Sequence, residues 1–161
     1  MKKLLFPLLI LLILSACIDE EPEPITKMDL VVTKENKLSS GSITAESKMA
    51  IIHVWQADNR EFDVDASPDI QLGYAYDKES NSFQTMNYGA VGKRMNERIK
   101  PGRYFIYVLL PKSSAEGSLA YSYTYFDIKE GETASLSKTF SYDVASGAFE
   151  AWEKTSVLQP K

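Results

Sequence analysis

From residue 26 onward the hydrophobic positions fall into short runs of two kinds. In the first kind they alternate with polar residues. Met28, Leu30 and Val32 do so within 27–33, as do Ile70, Leu72, Tyr74 and Tyr76, and Tyr121, Tyr123 and Tyr125 alternate with Ser122, Thr124 and Phe126. A period of two is what a strand with one covered face produces. In the second kind both parities are apolar: 49–55, and 104–110, which Pro111 ends. These read as strands covered on both faces. Turn-rich stretches at 36–41, 77–82 and 130–132 punctuate the runs. Shorter strands are predicted at 42–45, at 83–88 (returning on 70–76), at 134–140, and at 149–152, which would close the sheet. Segment 93–99 fits a helical turn through Met95 and Ile99, and it also alternates; Pro101-Gly102 directly behind it favours a hairpin turn, so a strand is predicted. About seven to nine short strands with regularly spaced turns predict an all-β chain, an antiparallel β-sandwich or barrel.

One apolar run has no polar face at all. Residues 4–14, interrupted only by Pro7, follow Met1-Lys2-Lys3. A membrane-spanning helix needs about 20 residues, so a basic start and a short apolar stretch read as a secretory signal. Leu14-Ser15-Ala16-Cys17 comes next and contains the only cysteine. It resembles the lipobox of bacterial lipoproteins. That resemblance implies cleavage before Cys17 by signal peptidase II, a diacylglycerol thioether on Cys17, and acylation (palmitate or similar) of the new terminus. One acyl chain holds a membrane marginally, at about 0.8 kcal/mol per buried CH2, whereas two or three anchor stably.

Residues 18–24 then carry Asp19, Glu20, Glu21 and Glu23 with Pro22 and Pro24. Like charges and prolines favour an extended stalk. Asp19-Glu20-Glu21 is similar to the acidic tag that, in some Gram-negative bacteria, sends lipoproteins to the outer face of the outer membrane. The expected organisation is a signal peptide (1–16), a lipidated cysteine with its stalk (17–25), a β-sandwich (26–155) and a frayed tail (156–161).

Composition narrows the chemistry. The chain has 161 residues, 44% hydrophobic, and a net charge of -4; that balance leaves no basic footprint for nucleic acid. With its single cysteine taken by lipid, neither an intramolecular disulfide nor a thiolate metal cluster is expected. The only histidine, His53, sits inside an apolar strand and reads as structural. No Gly-x-Ser-x-Gly elbow, Walker loop or Gly-x-Gly-x-x-Gly occurs. Glu130/Glu132 and Glu150/Glu153 are the carboxylate pairs a glycosidase would need about 5 to 10 Å apart, with solvated turn acids as the alternative. No enzymatic activity is expected.

Three further groups are candidates for binding. Asp63, Asp65, Ser67 and Asp69 fall at alternate positions, as oxygen ligands do in calcium loops. Pro68 and Tyr74 depart from the EF-hand pattern, and a solvated acidic connection over 58–69 is the alternative. Lys93, Arg94, Arg98, Lys100 and Arg103, tempered by Glu97, read as a guarded strand edge or a site for an acidic glycan. Tyr121, Tyr123 and Tyr125 share one strand face. Outward, they would be a platform for sugar rings or a protein partner; their small polar neighbours favour the inward reading, as core.

Residues 95–108 carry a resemblance of fold. An apolar residue, Ile99, Pro101-Gly102, basic Arg103, Tyr104 and an apolar strand resemble the hairpin of transthyretin-like sandwiches, which include carboxypeptidase regulatory-like and collagen-adhesin B-type domains. The resemblance implies a transthyretin-like β-sandwich. The Lys–Asn crosslink of some such domains does not carry over, because no Asn follows Asn96. The leading expectation is a surface-exposed, membrane-anchored lipoprotein acting as a non-catalytic binding or accessory module for a protein or glycan. Loops 58–69 and 77–82 would do the binding. The alternative is a periplasm-facing scaffold lipoprotein of an envelope or secretion complex, a class that includes a small transthyretin-like lipoprotein of type VI secretion. A third reading is a small glycan-active enzyme.

Overall fold

The two continuous apolar runs become neighbouring strands at the centre of one sheet. In the computed structural model, residues 24–111, 120–152 and 156–158 are described. The signal segment, Cys17 and the acidic tag Asp19, Glu20 and Glu21 lie outside them, as does Glu153. The strands are β1 (Lys27–Lys37), β2 (Ile43–Ser47), β3 (Ala50–Gln56), β4 (Phe62–Asp63), β5 (Tyr74–Asp77), β6 (Ser82–Thr85), β7 (Tyr88–Gly92), β8 (Arg94–Arg98), β9 (Gly102–Leu109), β10 (Tyr121–Ile128), β11 (Thr133–Phe140) and β12 (Ser156–Leu158). A four-stranded sheet runs β10-β9-β3-β7. Facing it, β12-β11-β1 continue into an edge that β8 and β2 share: β8 pairs with Lys27 to Val31 of β1, and β2 with Thr33 to Lys37. A small third sheet, β4-β5-β6, belongs to a connection between β3 and β7. Every pairing is antiparallel except β1 with β11, which is parallel.

Alternation explains the two cores. Ile52, Val54, Tyr104, Ile106 and Val108 point between the two large sheets, against Met28, Leu30, Val32, Leu136 and Phe140. Their neighbours Trp55, Phe105, Tyr107 and Leu109 point the other way, into a second core with Ala57, Phe62, Ile70 and Ala75 of the connection. Each fully buried large apolar side chain contributes about 1.5–3 kcal/mol. The all-β sandwich is therefore present, with a third layer on one outer face that the alternating pattern did not announce.

Four local expectations are corrected. Residues 70–76 are not one strand: Ile70–Leu72 form a 3-10 turn that Gly73 ends at φ +92°. Residues 83–88 divide between β6 in the small sheet and β7 in the large one. The stretch 149–152 contributes only a bridge from Phe149 to Tyr121, because Glu150 is drawn inward to Lys138; the sheet is instead extended by β12, from residues expected to fray.

Pro101-Gly102 is an arch and not a hairpin, since β8 and β9 lie in different large sheets. The arch is held by Tyr104, whose hydroxyl donates to the Lys100 carbonyl at 2.8 Å, and by Asp58, whose carboxylate accepts the Arg103 N–H at 2.7 Å. A tyrosine bonding back to the backbone upstream is a known way to fix an inter-sheet corner. Gly102 sits at φ +150°, and a Cβ there would lie 2.9 Å from Asp58 Oδ1.

Candidate functional site

The third layer is built around a buried hydroxyl. Ser67 Oγ donates to the Asp63 carbonyl and accepts the Tyr76 N–H at 2.8 Å. Asp63 Oδ1 accepts the Ala66 N–H at 3.1 Å, and Lys78 Nζ stands 3.5 Å from Oδ2. The Ala66 amide in particular holds the Asp63 carboxyl below its ordinary range. Thus Asp63 and Ser67 are brought together and used within the loop, while Asp65 and Asp69 are exposed. No three acidic, histidine or cysteine side chains converge among the described residues. His53 packs beneath this layer, and its Nδ1 donates to the Ile70 carbonyl at 3.0 Å. Burial pushes its pKa down, against the opposing pull of that bond. It serves as a strut, as its position in an apolar strand suggested.

The tyrosine row faces the opposite way from the expected one. Phe126 and Ile128 enter the core between the large sheets, together with fully buried Ser122. Tyr121, Tyr123 and Tyr125 lie on the outer face, partly covered by the third layer. Tyr125 is fixed in place: its hydroxyl accepts the Phe62 N–H at 2.7 Å, and the Arg103 guanidinium lies 4.5 Å over its ring. Tyr123 and Tyr121 lean on half-exposed Phe149, with ring centroids 4.8 and 5.7 Å away. Small polar neighbours failed as a guide because the outer face has its own apolar cover.

Beyond that row, the 3-10 turn and the β5–β6 hairpin expose large apolar groups: Leu72 is 65% exposed, Tyr74 46% and Phe83 53%. Ala75 points into the second core, so Tyr74 and Tyr76 point outward. Phe83 is the cross-strand partner of Tyr76, and their rings meet edge to face at 5.5 Å. Asp69, Tyr74 and Phe83 line a shallow concavity of about 240 Å³. Sequence reasoning missed this grouping. It read Tyr74 as strand periodicity and Asp69 as part of a metal loop, and the 3-10 turn that joins them left no periodic signal.

The remaining candidates are dispersed by the fold. In the basic cluster, Arg94 clamps Asp29, with Nε 2.6 Å from Oδ1, in the sheet of β1. Arg103 belongs to the other large sheet, over Tyr125. Among the carboxylate pairs, Glu130 is exposed, whereas buried Glu132 accepts the Lys129 N–H at 2.8 Å. Glu150 accepts from Lys138 Nζ at 2.8 Å and from the Ser141 N–H at 3.1 Å. Burial raises its pKa, but the Lys138 and Ser141 bonds outweigh burial and hold it low. Lys138 was overlooked in the sequence. It occupies an apolar-parity position between Leu136 and Phe140, and that parity was the available signal. A larger concavity of about 330 Å³ at one end of the sandwich includes Lys34, Lys48, Met49 and Val144. Searches against protein-family models, curated proteins and solved structures match nothing to this chain.

Proposed function

We propose that the chain is a lipid-anchored bacterial outer-membrane lipoprotein, displayed on the extracellular face, whose β-sandwich is a non-catalytic binding module. The observation that carries the binding role is the exposure of Leu72 on the 3-10 turn and of Tyr74 and Phe83 on the adjoining hairpin. Large apolar groups left exposed side by side on a rigid scaffold mark an interaction site. The polar groups best suited to chemistry support the same reading from the other side: His53, Glu150 and Lys138 are held in structural bonds. The lipobox at Leu14, Ser15, Ala16 and Cys17 carries the anchor. β1 begins ten residues after Cys17, so the acidic, proline-containing segment between them would serve as the tether. The transthyretin-like kinship is part of this proposal and rests on residues 95–108.

Protease shaving of intact cells tests it, with a Cys17→Ala variant, a periplasmic marker and metabolic labelling by a palmitate analogue. The expected result is loss of the protein with the marker intact, and label incorporation that requires Cys17. Protection until the outer membrane is opened overturns surface display and favours the periplasm-facing scaffold. Absence of label overturns the anchor.

A further inference from the structure

We infer that the cleft formed by Tyr74, Phe83 and Asp69 is a subsite for one neutral pyranose ring of a glycan. This rests on the reading of the chain as a binding module, and it names the ligand class and the place. A pyranose offers two surfaces: a face of C–H groups that stacks on an aromatic ring, and a hydroxyl edge that a carboxylate accepts from in bidentate fashion. The cleft offers both complements. Tyr74 and Phe83 are exposed, and Asp69 lines the cleft beside them.

Size and charge select the ligand further. Drug-sized ligands fill about 300–1,000 Å³, so a concavity of about 240 Å³ takes a single ring. A protein partner needs about 800 Å² a side, far more than three residues supply. Acidic sugars are disfavoured, because exposed Asp69 lines the cleft and two cations of the same layer are taken up by carboxylates of their own. Lys78 stands by Asp63, and Arg60 lies 3.7 Å from buried Asp77.

The cleft is also held in shape. The Asp69 carbonyl accepts the Leu72 and Tyr74 N–H groups at 2.9 and 3.3 Å. Gly73 joins Ile70 and Met86 through backbone bonds of 3.0 and 2.9 Å, and Ser67 fixes Tyr76. Little ordering is then needed on binding.

The test uses the full-length lipidated protein in a non-glycosidic detergent. It is titrated calorimetrically with maltohexaose, cellohexaose, mannohexaose and xylohexaose, with polygalacturonate as the acidic probe. At least one neutral oligosaccharide should bind. Tyr74→Ala or Phe83→Ala should weaken it about tenfold, and Asp69→Asn severalfold, while Tyr123→Ala leaves it unchanged. Aromatic NMR shifts of Tyr74 and Phe83 in the unsubstituted protein give a second readout that needs no variant to fold. Binding to none of the neutral probes at millimolar concentration, or to polygalacturonate alone, overturns the inference. Binding that survives Tyr74→Ala and Phe83→Ala but is lost in Tyr123→Ala overturns the cleft and leaves the module reading standing. Protection from shaving overturns display without touching the cleft.

Discussion

Glu150→Ala should destabilise this protein far more than Lys138→Met, although both break the same ion pair. The Lys138 side chain is 1% exposed and that of Glu150 21%. Lys138 Nζ has two oxygen partners, Glu150 Oε1 at 2.8 Å and the Ala151 carbonyl at 2.9 Å, with the Phe140 ring centroid 4.9 Å away. Removing Glu150 leaves a buried ammonium with one carbonyl and a ring face, which costs about 3–5 kcal/mol. Lys138→Met keeps the apolar stem, and Glu150 retains water and the Ser141 N–H; the cost is about 0–2 kcal/mol. The double variant should lie near Lys138→Met, giving a coupling energy of about 2 kcal/mol or more. Urea unfolding at pH 7, followed by the fluorescence of buried Trp55, reads these differences as midpoint shifts at constant m. Acid adds a second check. The folded pKa of Glu150 is depressed below the ordinary 4.5, so its contribution is present above that value and is lost as pH falls through the folded one. The penalty of Glu150→Ala should shrink accordingly in acid. Equal costs for the two single variants, or a Glu150→Ala cost under about 1 kcal/mol, would refute the reasoning.

Three further outcomes follow from the packing. Gly102→Ala forces a Cβ to 2.9 Å from Asp58 Oδ1 at φ +150°; it should cost about 1–3 kcal/mol in thermal or urea unfolding, and adding Asp58→Ala should not restore stability, since the backbone strain persists. Ser67→Ala leaves the Tyr76 N–H without its acceptor and should cost about 1–3 kcal/mol. Hydrogen exchange should show that loss as faster opening of residues 57–86, with β3 and β9 unaffected. The His53 ring should titrate by NMR below 6.5, because burial disfavours its charged form. Its neutral-form stabilisation is therefore complete above 6.5 and declines as pH falls through the folded value, so His53→Gln should flatten the fall in Tm between neutral and mildly acid pH.

The elements legible in the sequence are those whose burial is decided by one neighbour or by all of them. β3 and β9 are covered on both faces, and β1 and β11 alternate cleanly, so their runs announced the strands and the sandwich. Failures gather where a segment answers to two partners. Tyr121, Tyr123 and Tyr125 were judged against a single core, but the strand separates two. Pro101-Gly102 has hairpin chemistry, and Asp58, more than forty residues upstream, is what turns it into an arch. Residues 70–76 keep a strand's alternation although Gly73 breaks them. In the candidate cleft, Tyr74 and Phe83 were visible as aromatics, but their meeting with Asp69 depends on a three-residue turn with no period of its own. Lys138 shows the converse: a charge at an inward position announces a buried partner, and Glu150 is that partner.

The parallel pairing of β1 with β11 has a mechanical consequence. Thr33 bonds across to Thr139, 106 residues later, and β1 is also laddered on its other edge by β8 and β2. A pull entering at the N-terminal end of β1 runs along its axis, nearly perpendicular to those hydrogen bonds. The bonds must then shear together; they cannot be unzipped one at a time. Resistance to such a load is set by the unfolding rate and not by equilibrium stability. A load applied at this end of the chain thus meets the whole ladder at once before the sheet gives way.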